Sequence, residues 1–451
     1  MLLGRNKIGI FLLAFLLVFS LVVFTGCGGT NLKGANIKVA SWWQTYNVNT
    51  YEPRSESEEQ ELEQRRRLLR EHDFSYEVFE LSDWDNYLPL VASNIMSNNK
   101  DIHMYQLSAS HIMILFKQGL LYPVSDSKII DFNNRKDIIG EKAMINGLAH
   151  EAFTFGGKTY AWSYGLPNNG WGTSMLFFNP QHLEEVGLGR EYLYDLQRDN
   201  NWTWDTFYEV CKRLTRDTTG NGVIDTYALP IDDAREFIMG LIFGNGGNLV
   251  TFDEQGRAVN SANSPAVLDA LQFFNRLITE GLVATQPTYD WGWNWSAFVD
   301  GRVAMTFDPE WRKGQMNDNF EAGYVLPPRG PRSQNIRVGA GVGGAAIPNI
   351  FSPAEVDVIL KADQLWSAPV SDDWLQGHYW ASRNIRDVTE TVVMSRDPRY
   401  LTLAGFDLVP GYPFGDFIGD FRADGLGIVT PAQHIESWMP RINAAIEDFN
   451  R

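Results

Sequence analysis

Strand-like and helix-like segments alternate near the start of this chain, and this alternation limits the fold more than any other feature of the sequence. Residues 36–40, 74–81 and 101–105 have the apolar patterning of strands. A helix is predicted behind the capping box at 55–58, and an amphipathic helix over 84–96. Strands that alternate with helices in this way are typical of a parallel α/β sheet. The sequence therefore predicts an α/β fold.

Helix-start signals recur through the rest of the chain. Thr203 is predicted to cap a helix over 204–214, and Ser264-Pro265 to open another. Ser352 begins a further capping box, and Thr430 precedes a proline at the start of a final helix. The α/β organisation is thus expected to continue through the second half of the chain.

The first residues resemble the leader of a bacterial lipoprotein. Arg5 and Lys7 precede an almost wholly apolar run over 8–24, and small residues then lead into Cys27. In such leaders the cysteine carries the lipid and becomes the mature N-terminus. The alternative is an ordinary membrane anchor, because the apolar run is nearly long enough to span a bilayer. Either interpretation places the body of the protein outside the cytoplasmic membrane and tethers it there.

Charge and cysteine content narrow the possible partners. The formal net charge of −17 at pH 7 argues against nucleic acid and anionic lipid as partners. Cys211 is the only cysteine besides Cys27, so no intrachain disulfide is expected once Cys27 is lipidated. No second apolar run approaches ~18 residues, so we expect a soluble body.

Five segments resemble, in order, the motifs of the family-1 extracellular solute-binding proteins, the carbohydrate-binding lipoproteins of ATP-binding-cassette (ABC) importers. They are residues 155–161 (FGGKTYA), 176–188 (LFFNPQHLEEVGL), 202–207 (WTWDTF), 298–305 (FVDGRVAM) with Trp311, and 341–348 (GVGGAAIP). The resemblance implies a two-lobe fold of the type II periplasmic-binding-protein kind, with an interlobe cleft that closes on its ligand. It also implies a non-enzymatic role, with a carbohydrate ligand and the membrane permease subunits as partners.

The resemblance also divides the chain. Residues 1–26 would be the lipoprotein signal peptide and 27–35 a tether. Lobe one would hold 36–164 with about 345–395, and lobe two 165–344 with about 396–451. The protein would act on the extracytoplasmic face of the membrane, anchored by lipid, and would require no cofactor.

The aromatic residues point to a carbohydrate independently of the resemblance. The chain has 15 Trp, many beside Gly, Asn or Pro. Sugars stack their C–H faces on aromatic rings and hydrogen-bond polar groups through their hydroxyls. For any one Trp, burial in a large core is an equally good explanation. If residues 291–295 were extended, their three Trp would share one face. The predicted ligand-binding residues are Trp42, Trp43, Tyr105, Gln106, Trp171, Asp290, Trp291, Trp293, Asn294 and Trp311.

Residues 217–225 (DTTGNGVID) resemble a calcium-binding loop, with oxygen ligands at alternate positions and a glycine at the sharp turn. The candidate ligands are Asp217, Thr219, Asn221, the Val223 carbonyl and Asp225. Position 12 of the loop is Ala228, so no bidentate Glu completes it. The alternatives are a structural calcium site remote from the sugar and a Gly-rich turn that holds no metal.

A second class of function stays open beside the binding protein. A secreted glycoside hydrolase also combines Trp with paired carboxylates, and Asp290, Asp308 and Glu310 could supply such a pair. Another carbohydrate-active surface protein is a third possibility. The ordered motifs and the leader favour the binding protein.

Overall fold

A computed structural model describes residues 30–43, 46–53, 56–132, 135–136, 145–164, 174–231, 234–285, 292–310, 312, 321–367, 386–397, 399–424 and 429–451. Leu32–Arg451 forms one compact unit. None of the helices within these ranges is long and apolar enough to cross a membrane.

In chain order, the strands β1 to β17 are Ala35–Ser41, Phe74–Glu80, Met104–Ser108, Arg135–Lys136, Ile145–Asn146, Thr154–Phe155, Lys158–Thr159, Ser174–Phe178, Leu229–Pro230, Val250–Phe252, Ala258–Asn260, Val283–Ala284, Met305–Pro309, Gly323–Val325, Val338–Ala340, Gly343–Ala346 and Leu401–Leu403. The helices α1 to α13 are Glu56–His72, Trp84–Met96, Ala109–Lys117, Gly147–Ala152, Pro180–Glu185, Tyr192–Arg198, Trp204–Leu214, Arg235–Gly244, Pro265–Thr279, Trp293–Val299, Pro353–Trp366, Phe414–Asp424 and Pro431–Asn450. Short 3-10 helices cover Val124–Asp126 and Gly405–Leu408, and a π-helix covers Asp387–Val392.

The first sheet has the order β16-β3-β1-β2. Strand β1 runs parallel to both β2 and β3, with Val39 opposite Val78 on one side and Met104 on the other. The predicted parallel α/β start is therefore confirmed, although β3 begins at Met104 rather than at Asp101. Because the three strands are parallel, their carboxyl ends lie at one edge of the sheet.

Both faces of this sheet are buried, as parallel sheets require. Ile37 and Val39 lie in an apolar cluster with Ile359 of α11. A second cluster gathers Tyr105 with Ile112 of α3. The sheet is thus held between α11 on one side and α2 and α3 on the other.

The second sheet is antiparallel, with β8 between β13 and β14. Met175 to Phe178 of β8 are all fully buried in a large apolar cluster that includes residues of α7 to α10. Helix α7 begins where the sequence predicts it, because the Thr203 side chain forms a capping box with Thr206. The predicted caps Ser352 and Thr430 are confirmed in the same way.

The chain passes between the sheets over residues 338–346. Val338 of β15 lies in the cluster of the second sheet, whereas β16 pairs with β3 of the first. Gly344 lies so close to the Trp162 carbonyl that a Cβ atom there would be 2.5 Å from the oxygen. This crossing therefore needs glycine at 344.

The π-helix packs against the second sheet. Asp387 accepts hydrogen bonds from the Tyr194 hydroxyl and from the Tyr324 backbone N–H, the latter at 3.1 Å. Thr391 donates to the Tyr324 carbonyl at 2.8 Å. These contacts place 386–392 beside the second sheet, although the sequence-based division assigned 345–395 to the first lobe. The buried Asp387 determines this position, and no helix-start signal in the sequence indicates it.

Asp363 of α11 is a buried polar link between elements of the first sheet. Its carboxylate accepts a hydrogen bond from the Tyr76 hydroxyl at 2.7 Å and from the Trp162 indole N–H at 3.1 Å. Burial raises the pKa of Asp363, and the donated hydrogen bonds lower it to a lesser degree. The native state therefore holds a proton on this group more readily than the unfolded chain does.

We predict that Asp363→Ala lowers the free energy of unfolding by about 2–5 kcal/mol, because it leaves two buried donors without an acceptor. Tyr76→Phe should cost less. Since the folded pKa of Asp363 is raised, its contribution falls as pH rises above the unfolded value of ~3.9. Urea unfolding at several pH values should show this pH dependence reduced in Asp363→Asn. An Asn variant with the wild-type pH dependence would contradict the prediction.

Candidate functional site

Aromatic rings cluster at the edge of the first sheet where β1, β2 and β3 end. Trp42 and Trp43 follow β1 directly, and α2 begins at Trp84 just after β2. The centroid of the Trp42 ring lies 4.2 Å from that of Trp43 and 5.1 Å from that of Trp84. His111, in the first turn of α3, stacks on Trp84 at 4.6 Å. We call Trp42, Trp43, Trp84 and His111 the strand-edge cluster.

The strand-edge cluster packs against a buried tyrosine, and two of its rings are exposed to solvent. Tyr87 packs against Trp42 with ring centroids 5.4 Å apart, and its buried hydroxyl donates to the Ala40 carbonyl at 2.8 Å. In contrast, Trp43 is 44% exposed and Trp84 is 47% exposed. Two half-exposed indoles that both pack against Trp42 form an apolar surface that is costly to leave in water. Such a surface is suited to cover by a ligand.

Polar groups accompany the rings at the same edge. Ser108, the last residue of β3, caps α3 and accepts from the His111 backbone N–H. The Gln106 Oε1 and His111 Nδ1 atoms are buried and have no hydrogen-bond partner among the described residues. Burial lowers the pKa of His111 to about 4, so its ring is neutral at neutral pH. Rings beside neutral polar groups are the combination that sugar binding requires.

The structure brings together only part of the predicted set. Trp42 and Trp43 lie in the strand-edge cluster, and Gln106 lies on β3, which pairs with β1. Tyr105 is fully buried in the apolar cluster behind the sheet, where burial raises its pKa. It therefore has a core position in this structure. Four predicted ligand-binding residues lie outside the described residues: Trp171, Asp290, Trp291 and Trp311.

The segment from Trp293 is helical, so the condition of an extended segment is not met at Trp293 and Trp295. Helix α10 begins at Trp293, which packs against the cluster of the second sheet. Asn294 and Trp295 are buried, and the Trp295 ring packs against Phe177 at 5.3 Å. Helical periodicity separates residues two apart, so these side chains do not share a face.

Sequence reasoning missed Trp84 and His111. Both follow ends of predicted strands of the parallel sheet, where open α/β sheets bind ligands. Trp84 was interpreted only as the first residue of an amphipathic helix, and His111 was not considered. The position directly after each strand was the signal that could have found them.

The carboxylates considered for hydrolysis are engaged in buried contacts. Asp308 forms an ion pair with Arg312 at 3.3 Å and accepts a hydrogen bond from Thr306 at 2.8 Å. Burial raises the pKa of Asp308 to about 7 in spite of these contacts. Glu310 pairs with Arg396 at 3.2 Å. The third candidate, Asp290, lies outside the described residues. The two described carboxylates thus have structural partners.

The loop that resembles a calcium site uses its oxygens internally. Asp217 accepts hydrogen bonds from the backbone N–H groups of Thr219, Gly220 and Gly222, at 2.6 to 3.0 Å. These bonds lower the pKa of Asp217. Likewise, Asp225 accepts from Thr218, and Asn221 accepts from the Val223 N–H.

Within the described ranges, no three His, Cys, Asp or Glu side chains are placed to hold a metal. The loop carboxylates thus accept hydrogen bonds from the loop itself, and calcium binding stays a prediction.

A cavity of about 330 Å³ lies elsewhere, between α6 and the residues that follow Asp387. Gln197 in its wall is bonded to the Leu326 N–H and to Thr391. Arg198 is paired with Asp195. Gln197 and Arg198 thus already have polar partners within the protein.

Solved structures show which class of protein has this fold. The GacH receptor of Streptomyces glaucescens, solved free and with acarbose, matches with a TM-score of 0.60 and 14% identity over 92% of this chain and 99% of that one. The cyclic alpha-maltosyl-1,6-maltose binding protein of Arthrobacter globiformis matches with a TM-score of 0.63 and 16% identity, over 92% and 100%.

UgpB of Mycobacterium tuberculosis, solved with glycerophosphocholine, matches with a TM-score of 0.61 and 14% identity, over 94% and 100%. The predicted α/β fold of the periplasmic-binding-protein kind is thus confirmed. At these identities the likeness establishes the fold alone.

The sequence establishes the family. The profile of the bacterial extracellular solute-binding proteins matches residues 78–350, more than half of the chain, so the chain belongs to this family. The predicted resemblance is confirmed, and with it the position outside the cytoplasm. No curated protein matches the chain by sequence.

For the loop 217–225, the metal-free turn predicts that EGTA leaves the melting temperature unchanged, whereas Asp217→Ala lowers it, because the substitution removes the acceptor of three backbone N–H groups. Glu254→Ala, an exposed acidic residue in another turn, is the matched control. Calorimetry in calcium and in EGTA makes the measurement. A melting temperature that falls on chelation would support the calcium site instead.

Proposed function

We propose that this protein is the substrate-binding component of an ABC importer, which captures a carbohydrate of oligosaccharide length and delivers it to the membrane permease subunits. The strand-edge cluster carries the proposal. It combines two half-exposed indoles with neutral polar groups at the carboxyl ends of parallel strands. No single member of the cluster would be sufficient evidence alone.

Two lobes with a cleft between them are part of the proposal. The first sheet and its two apolar clusters would form lobe one, and the second sheet with its cluster lobe two. We assign 386–397 to lobe two, because Asp387 bonds to Tyr324 there. The strand-edge cluster would form one wall of the cleft. A ligand that contacts both lobes would stabilise the closed state that the permease recognises.

Trp171, Trp291 and Trp311, with Asp290, stay candidates for the opposite wall. Pro309 of β13 pairs with Ser174 of β8, so both strands reach the same edge of the second sheet. In sequence, Trp171 precedes Ser174 by three residues and Trp311 follows Pro309 by two. We therefore propose that this edge supplies rings to the cleft.

The ligands of two structural relatives support a carbohydrate ligand for this protein. The ligand of a third, glycerophosphocholine, provides the competing hypothesis. The GacH receptor binds acarbose and the Arthrobacter protein a cyclic maltosyl-maltose, whereas UgpB was solved with glycerophosphocholine. The open indole pair suits the C–H faces of a sugar. A thermal-shift screen that contains all three compounds tests the choice, because a ligand at 100 times its Kd adds about 2.7 kcal/mol to the stability of the native state.

The proposal contains no enzymatic step. A glycoside hydrolase would need a free carboxylic acid and a second carboxylate across the sugar bond. Asp308 and Glu310 are instead paired with arginines. Incubation with a labelled oligosaccharide separates the two classes, because a hydrolase turns it over and a binding protein returns it intact.

The central prediction is that Trp43→Ala and Trp84→Ala each weaken oligosaccharide binding by ~1–3 kcal/mol, if sugar stacking resembles base stacking in size. Their exposure means that the fold should persist. Met96→Ala is the matched control, because Met96 is 70% exposed at the other end of α2. Titration calorimetry gives the affinities, and circular dichroism checks the fold.

Trp311→Ala and Trp293→Ala extend this experiment to the second sheet, where sequence reasoning placed the strongest stacking positions. Suppose that both Trp43→Ala and Trp84→Ala bind with wild-type affinity while Trp311→Ala does not. The ligand would then lie away from the strand-edge cluster, and our placement would be wrong.

We also propose that the protein is a lipoprotein anchored through Cys27. The proposal rests on the leader sequence, which lies outside the described residues. Cys27→Ser should leave the precursor unprocessed or release the protein from the membrane fraction. Mass spectrometry of the wild-type N-terminus is the direct test, and an unmodified N-terminus far from residue 27 would refute the anchor.

A further inference from the structure

The His111 ring is buried among aromatic rings beneath the open face of the strand-edge cluster. It stacks on Trp84 with centroids 4.6 Å apart and meets the Trp42 ring edge-on at 6.0 Å. The Tyr87 ring lies 6.2 Å away. Only 6% of the residue is exposed. The imidazole is therefore fixed in place by its neighbours, whereas Trp84 above it is half exposed.

This ring has no polar partner in the described part of the chain. Nδ1 is buried without a hydrogen bond. The ring contacts Trp42, Trp84 and Tyr87, whose aromatic faces do not replace a hydrogen bond. Buried polar atoms are nearly always satisfied in native proteins, and each exception needs an explanation such as a water or a ligand.

Asp363 is an example of a buried polar group whose hydrogen bonds are made within the protein. Tyr76 and Trp162, in the same half of the molecule, both donate to Asp363. At the strand edge, by comparison, the buried His111 Nδ1 has no hydrogen-bond partner among the described residues. A buried, unsatisfied nitrogen in a ring that stacks on a half-exposed indole indicates a place where a ligand can supply the hydrogen bond.

The chemistry of these atoms limits the ligand. A neutral imidazole has one donor and one acceptor, and a side-chain amide has both kinds of group. A sugar hydroxyl also donates and accepts, so it can satisfy either atom. Asp83 and Asp85 flank Trp84 and are exposed, and they would repel a carboxylate on the ligand. The residues at this position therefore favour a neutral hydroxyl over a carboxylate.

We infer that His111 is a specificity-determining residue, which hydrogen-bonds a hydroxyl of a neutral sugar that binds against the strand-edge cluster. The inference rests on the proposed function and refines it in two ways. It adds His111 to the binding residues, and it selects neutral sugars over acidic ones. The ring also supports Trp84 from below, so two roles of His111 must be separated by experiment.

The variants His111→Phe, His111→Asn and His111→Gln separate these roles. Phe keeps an aromatic ring under Trp84 and removes the hydrogen bond. Asn places a polar atom near the position of Nδ1, and Gln places one near Nε2. Trp84→Ala reports on the stacking surface itself. Unfolding temperature and tryptophan fluorescence check that each variant keeps its fold and the environment of Trp84.

The probe is an array of neutral, acidic and amino oligosaccharides, followed by titration calorimetry with the neutral sugar that binds best. His111→Phe should weaken binding roughly five- to a hundredfold at an unchanged unfolding temperature. Either Asn or Gln should recover most of this loss. A purely structural role would instead be rescued by Phe and not by the polar variants.

The possible outcomes distinguish a failure of this inference from a failure of the proposed function on which it rests. If Trp84→Ala loses binding but His111→Phe does not, the site stands and the role of His111 is refuted. Selection of acidic sugars by the wild-type protein would likewise overturn the inference and leave the carbohydrate site intact. If no array member binds, or if neither substitution affects binding, the proposed site itself is wrong.

Discussion

The parallel pairing of β1 with β2 and β3 is the constraint on which the candidate site depends. Val39 lies opposite Val78 and Met104 in this register. A shift by one residue would turn the buried side chains of a strand to the opposite face, and both faces are already filled. The register therefore fixes where each strand ends. It brings Trp42, Trp84 and the start of α3 to a single edge.

The strand edge combines exposed aromatic surface with an unsatisfied buried polar atom. Other buried polar groups make their hydrogen bonds within the protein, such as Asp363 with Tyr76 or Gln197 with Leu326 and Thr391. At the strand edge, two indoles are half exposed and the buried His111 Nδ1 lacks a partner among the described residues. Both are unfavourable in the free protein, and a sugar that stacks and hydrogen-bonds would relieve both. The free-energy cost of exposing the indoles in the free protein is thus offset when a sugar binds.

The sequence was sufficient for the parts of the fold that local patterns determine. The strands of the first sheet, α2, and the caps Thr203 and Ser352 follow from period and capping chemistry, and the structure confirms them. The family motifs also lie in the chain region that the family profile matches.

Features that depend on distant contacts could not be predicted. The π-helix is held by Asp387 through Tyr194 and Tyr324, which are remote in sequence. For the same reason, Tyr105 appeared equivalent to Gln106 in the sequence, although alternate positions on β3 place Tyr105 in the core. His111 follows the end of β3, but its role beside Trp84 depends on a stack between residues that are distant in sequence.

A crystal structure of the protein with its bound oligosaccharide tests the central claim most directly. The account predicts that a sugar ring stacks on Trp43 or Trp84, with a hydroxyl within hydrogen-bonding distance of His111 or Gln106. Ligand density that lies away from Trp42, Trp43 and Trp84 would contradict it.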